Sequence, residues 1–193
     1  MSRKAWFCMP LMVLLGGCST APMVLHYAPN STMTVHGSEQ VGSFRYMPAE
    51  QGKAKPNQIR NTAIGNVLLD KGVADYFSQA VFDESRFVGI TMGSGAKLSG
   101  TINDFLIDDL GYSVDWTLDV TYNVTAVNGS QCYSSDKVLK KHTAKFANAF
   151  GTLNEVIKLN IEKLFTDPAF VRCIAVPPAS GSSSVATSEP GKQ

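Results

Sequence analysis

Residues 112–124 alternate without a break: Tyr112, Val114, Trp116, Leu118, Val120, Tyr122 and Val124 are apolar, and Ser113, Asp115, Thr117, Asp119, Thr121 and Asn123 between them are polar. Successive side chains of a strand point to opposite faces, so this run predicts a long strand with one dry face and one wet face. Such a strand belongs in an antiparallel sheet covered on one side. Val127-Asn128-Gly129 follows, with Gly129 fitting the left-handed third position of a three-residue hairpin loop. Pairing Ala126 with Ser130 then sets Leu118 opposite Val138, Val124 opposite Cys132, Asp119 opposite Lys137 and Asp115 opposite Lys141. This register places His142 on the inner face, opposite Val114.

The preceding stretch, residues 98–107, is apolar at Leu98, Ile102, Phe105 and Ile107, so its phase slips near Asn103 and Asp104. A bulge there would realign the side chains. Asp109-Leu110-Gly111 supplies the turn into the alternating strand. Earlier, residues 41–46 read as a first strand, and residues 47–60, with Pro48, Gly52 and Pro56, as an irregular surface loop. Between Asp70 and Gly89 the period becomes helical, with Val73, Phe77, Ala80, Val81 and Glu84 on one stripe. Asp70 suits the N-cap and Gly89 the left-handed residue past the end. A second helix opens on the capping-box pattern Thr152-Leu153-Asn154-Glu155, carries Val156, Ile157, Ile161, Leu164 and Phe165, and stops at Pro168. The order strand, helix, three-stranded meander, helix predicts an α+β two-layer sandwich: an antiparallel sheet of about four strands, its first strand at an edge, with two helices on one face.

At the N-terminus, Arg3 and Lys4 precede an apolar stretch over residues 5–15 that ends in small residues before Cys18, the layout of a secretory signal. The stretch falls short of the roughly 20 residues that a membrane-spanning helix needs. Leu15-Gly16-Gly17-Cys18 resembles the lipobox of bacterial lipoproteins. The resemblance implies cleavage before Cys18 and acylation of that residue with chains such as palmitate. Two or three acyl chains hold a protein at a membrane lastingly. Ser19, where an Asp would signal inner-membrane retention, implies sorting to the outer membrane, facing the periplasm. The organisation expected is a signal peptide over residues 1–17, a membrane tether over 18–38 broken by Pro22 and Pro29, one domain over 39–175, and a disordered tail over 176–193 rich in Pro, Ser and Gly.

Without Arg3 and Lys4, 15 of the 17 Lys and Arg residues face 16 acidic ones, a net charge of −1 that points to no nucleic-acid partner. Of the four cysteines, Cys8 leaves with the signal and Cys18 takes lipid. Cys132 and Cys173 remain in an oxidising compartment and are expected to pair, the last helix returning its C-terminal end to the start of the Cys132 strand. His26, His36 and His142 show no zinc spacing, and no metal site is assigned. Asp104, Asp108, Asp109 and Asp115 gather around one hairpin, where a solvated turn is the stronger reading than a calcium site. His142 among aspartates is better read as a packed side chain than a catalytic base, and Gly93-Ser94-Gly95 as a flexible loop. No nucleotide, phosphate or nucleophile motif appears, so no catalytic residue and no cofactor is assigned.

The lipobox, the short tether and this order of elements resemble the small YajG-like envelope lipoproteins of Gram-negative bacteria, a group with no assigned catalytic role. The resemblance implies a non-enzymatic scaffold or accessory subunit with a protein partner in the envelope. The alternative is a lipid- or small-ligand-binding component of an envelope transport system. A packed interior with an exposed contact patch would favour the first, and an open apolar cavity of some hundreds of Å3 the second.

Overall fold

The computed structural model of the protein describes residues 22–62, 67–145 and 148–175. In chain order the elements are β1 (Ser38–Tyr46), α1 (Met47–Glu50), β2 (Gln58–Asn61), β3 (Val67–Leu68), α2 (Val73–Phe87), β4 (Thr91–Met92), β5 (Ala96–Asp108), β6 (Ser113–Thr125), β7 (Gln131–Ala144), α3 (Ala149–Phe165) and α4 (Pro168–Ile174). All seven strands form one sheet with β5 as its spine. One edge of β5 runs antiparallel along β6, which in turn pairs with β7. The other edge is shared end to end by β1 and β2, both parallel to β5.

The sheet is therefore mixed and larger than the four-stranded antiparallel one expected. β1 lies between β5 and the short β4, so it is not an edge strand. The reason is topological: the connection from β1 to β5 contains α2, long enough to return the chain for parallel pairing. The loop expected over residues 47–60 holds α1 and most of β2, whose Ile59 is fully buried.

The alternation in β6 takes the predicted form, with Val114 to Val124 buried at every second position. Tyr112 departs from it, standing fully exposed in the β5–β6 turn. β5 carries the expected bulge: Ile102 pairs with Val120 and Asp104 with Asp119, leaving Asn103 as the extra residue. The β6–β7 loop also matches, since Ala126 N–H donates to Ser130 C=O at 2.8 Å and Gly129 has φ +85°. One residue later the register changes, because Thr125 faces Gln131 but Val124 faces Tyr133, so Cys132 is bulged out. Every later pair is shifted by one: Leu118 faces Leu139, Asp119 faces Val138 and Asp115 faces His142. Tyr133 and Leu139 are buried, whereas Cys132, Val138 and His142 are exposed. The shift sets Lys137 and Lys141 on the helix side, where they are stabilised by Asp167 at 2.7 Å and Glu155 at 3.0 Å.

Both helices lie on one face. α2 starts at Val73 with Gly72 as its N-cap rather than Asp70, whose backbone N–H donates instead to Met23 C=O. α3 starts three residues before the capping-box pattern: Asn148 accepts from Gly151 N–H, and Thr152 is buried within the first turn. Pro168 ends that helix and opens α4, capped by Asp167, which accepts from Ala169 N–H. The space between helices and sheet is filled. Phe77, Ala80 and Val81 of α2 and Val156, Ile157, Ile161 and Leu164 of α3 are wholly buried, and Phe44 packs edge-on against Phe77 and Tyr122. The one polar side chain of α3 buried completely, Asn160, accepts from the Tyr122 hydroxyl at 2.8 Å and donates to the carbonyls of Leu118 and Lys137. It fastens the helix layer to two strands.

Residues 22–37 correct the expected tether. They contain almost no regular structure, yet they form a strap across both helices, with Tyr27, Ser31 and Val35 buried. Met23 bridges Leu69 in parallel at the sheet edge. The Tyr27 hydroxyl donates to the wholly buried carboxylate of Glu84, and Ser31 N–H donates to the same carboxylate at 2.7 Å. Ser31 Oγ reaches Glu162 at 2.7 Å, and Ala28 exchanges two backbone bonds with the Asn154 amide. Glu84 thus belongs to the apolar stripe because the strap covers it.

Candidate functional site

Cys18, the signal peptide and the tail over 176–193 lie outside the described residues. Cys132 and Cys173 are joined by a disulfide with Cα atoms 5.8 Å apart and a sequence separation of 41. Cys132 is the extra residue of the β7 bulge, and it meets Cys173 near the end of α4. The four hairpin aspartates are dispersed among separate partners. Arg60 binds Asp104 at 2.6 Å, Thr62 donates to Asp108, the mostly buried Asp109 meets Lys145 at 3.3 Å, and His142 Nδ1 sits 2.8 Å from Asp115. Among the described residues no group of three or more His, Cys, Asp or Glu side chains is placed to hold a metal ion.

The feature that the sequence conceals is a recess of about 600 Å3 at the end of the sheet where β1 and β5 begin. Its walls are Ser38 of β1, the Ser94-Gly95-Ala96 entry to β5, the Ala126-Val127-Asn128 loop, and Cys173 to Ala175 at the end of α4. Small side chains and exposed backbone shape it, and Val127 stands 82% exposed on its rim. Four segments distant in sequence contribute, so no local motif announces it.

The rim is built, not merely flexible. Gly93 and Gly95 both have φ +89°, and Ser38 Oγ donates to Ser94 C=O at 2.8 Å. A Cβ on Gly95 would lie 2.2 Å from the Ser38 carbonyl oxygen, so only glycine fits. Gly95→Ala should therefore destabilise the fold by about 2 kcal/mol, through left-handed strain and that clash. Urea unfolding checks it, and an unchanged midpoint would contradict the packing described.

Next to Ser38, Glu39 is wholly buried beside the buried Ser85 of α2. Among the described residues neither its carboxyl oxygens nor Ser85 Oγ meets a partner in bonding geometry. Burial pushes the Glu39 carboxyl up to about 7 from the ordinary 4.5, against a lowering influence of Ser85. A raised carboxyl holds its proton more tightly folded than unfolded. Its contribution to stability is full below the unfolded value of 4.5 and is lost as pH rises toward about 7. The loss amounts to about 3 kcal/mol at most. Glu39→Gln should flatten the stability profile over that window, and a melting curve against pH that keeps its slope would refute the assignment.

Among the described residues, no helix is long and apolar enough to cross a membrane. The fold and site define an α+β protein with an open apolar recess beside a disulfide. No protein-family model and no curated protein matches the chain. In fold it is similar to the crystal structure of protein XCC0632 from Xanthomonas campestris, of family model DUF330, with a TM-score of 0.54 at 13% identity over 76% of this chain and 92% of that one. Two further structures match less well. The hypothetical protein CT253 from Chlamydia trachomatis has a TM-score of 0.42 at 10% identity, over 68% of this chain and 92% of that one. Lipoprotein GNA1162 from Neisseria meningitidis has 0.29 at 11%, over 66% and 99%. The first likeness is one of fold alone.

Proposed function

We propose that the protein is a non-enzymatic lipoprotein, anchored through Cys18 to the periplasmic face of the outer membrane, that works by contact as a scaffold or accessory subunit of an envelope assembly. The YajG-like order of elements read from the sequence belongs to this reading. The observation that carries it is the filled interior. Interlocked side chains occupy the layer between helices and sheet, so an occupant would bind at the surface, and the recess at the β6–β7 loop is the concave place for it. Its walls of small residues and backbone suit an extended segment of a partner protein.

The recess also favours a second reading, since about 600 Å3 of mostly apolar space is the size at which small ligands are held. On that reading the occupant is an apolar ligand such as an acyl chain, and the protein is a binding component of a transport system. Crosslinking in the native envelope, from a photoreactive side chain at Val127, separates the two. A protein adduct supports the contact reading, whereas a clean monomer carrying co-purified lipid would overturn it in favour of the second.

A further inference from the structure

Three of the large apolar side chains exposed among the described residues stand at the pole opposite the recess. Leu110 is 73% exposed and Tyr112 101% in the β5–β6 turn, and Phe150 is 52% exposed in the first turn of α3. α3 runs back along β7, with Glu155 beside Lys141 and Asn160 beside Lys137. Its first turn therefore lies level with the end of β7, next to that hairpin tip. Near the tip, Lys145 Nζ binds the carbonyl oxygens of Asp109 and Gly111 as well as the Asp109 carboxylate, and the Asp108 carboxylate accepts from the Thr62 hydroxyl. An aliphatic and two aromatic side chains at one tip match the composition favoured where a protein meets the headgroup layer of a bilayer.

The strap independently supplies the direction of the membrane. The bridge of Met23 to Leu69 is parallel, β3 is antiparallel to β2, and β2 is parallel to β5. Traced back from Met23, the chain therefore heads toward the Asp108 end of β5. Pro22 lies level with Gln58 and so with Asp104, and the four residue steps to Cys18 span at most about 14 Å. That equals the rise of about 13 Å from Asp104 to Asp108. The start of β5 at Ala96 lies about 26 Å the other way and out of reach. Resting on the anchor reading above, we propose that Leu110, Tyr112 and Phe150 are seated in the interfacial layer of the bilayer that holds the Cys18 lipid. The protein is then attached at two points, and its recess is presented away from the membrane at the far end of β5.

The test uses the full-length protein isolated with its lipid and reconstituted in phosphatidylethanolamine–phosphatidylglycerol vesicles, some with brominated acyl chains. The mature chain holds one tryptophan, the buried Trp116, which supplies a constant background. Tyr112→Trp should add emission that is shifted to the blue and quenched several-fold more strongly by the brominated lipid than emission added by Val127→Trp. Both positions are exposed, so neither change threatens folding. Acylated protein with equal quenching at the two positions overturns the seating while leaving the anchor intact. Protein whose mass shows no acyl group on Cys18 overturns the anchor reading and the seating with it.

Discussion

Glu84→Ala is expected to destabilise the protein by on the order of 4 kcal/mol and to free the strap while the sheet stays folded. The carboxylate is the sole acceptor described for two buried donors, the Tyr27 hydroxyl and the Ser31 amide. Each such group, stranded without a partner, costs about 1–3 kcal/mol, and the cavity left by the side chain adds to that. Burial together with the neighbouring Glu84 carboxylate already holds the Tyr27 hydroxyl far above its usual titration range, so the phenol serves only as a donor. Glu84→Gln keeps an acceptor for Ser31 and should lose about half as much. Hydrogen exchange measures the outcome directly: amides between Tyr27 and Val35 should lose protection in Glu84→Ala while those of β6 keep theirs. Undiminished strap protection would show that Asn154 and Glu162 suffice to hold it.

Breaking the bond between Cys132 and Cys173 should have an effect of similar size. On the chain-entropy model, a closed loop of 41 residues stabilises by about 4 kcal/mol. The Cα separation of 5.8 Å is ordinary for a disulfide. Reduction, or the double substitution of both cysteines by serine, should lower the urea midpoint without changing the far-ultraviolet spectrum in water. A thiol reagent should label the denatured protein only after reduction; equal labelling before and after would refute the bond. The salt link of Lys137 with Asp167 beside α4 adds an acid-sensitive element, since Lys137 foremost holds the Asp167 carboxyl down to about 2.

How far the fold can be read from the chain depends on where each determinant sits. The alternation of β6, the bulge at Asn103 and the left-handed Gly129 are local, and each is found as expected. The bulge at Cys132 is not local: it is favoured because Tyr133 and Leu139 fill the core while Lys137 and Lys141 find carboxylates on α4's cap and α3, contacts that exist only after packing. The parallel pairing of β1 fails to show for the same reason, since nothing in residues 38–46 encodes the neighbour that α2 brings round. The strap is hidden by Pro22 and Pro29, which break periodicity without preventing burial of Tyr27 and Val35. Of the candidate site, the cysteine pair follows from arithmetic on four residues, but the recess depends on Gly95 meeting Ser38 across 57 residues of chain.

On the anchored-scaffold reading proposed above, the protein would be loaded mechanically, and the strap would determine how. Tension on an acylated Cys18 would enter the described fold near Met23, whose N–H bonds Leu68 and whose carbonyl receives Asp70. Those two bonds flank a parallel bridge, so a pull along the strand strains both together in shear instead of unzipping them singly. Beyond them the load passes to the carboxylates of two different helices before it arrives at β1. On that reading, force on the anchor would be shared between the helix layer and the sheet edge before it could reach the recess at the far end of β5.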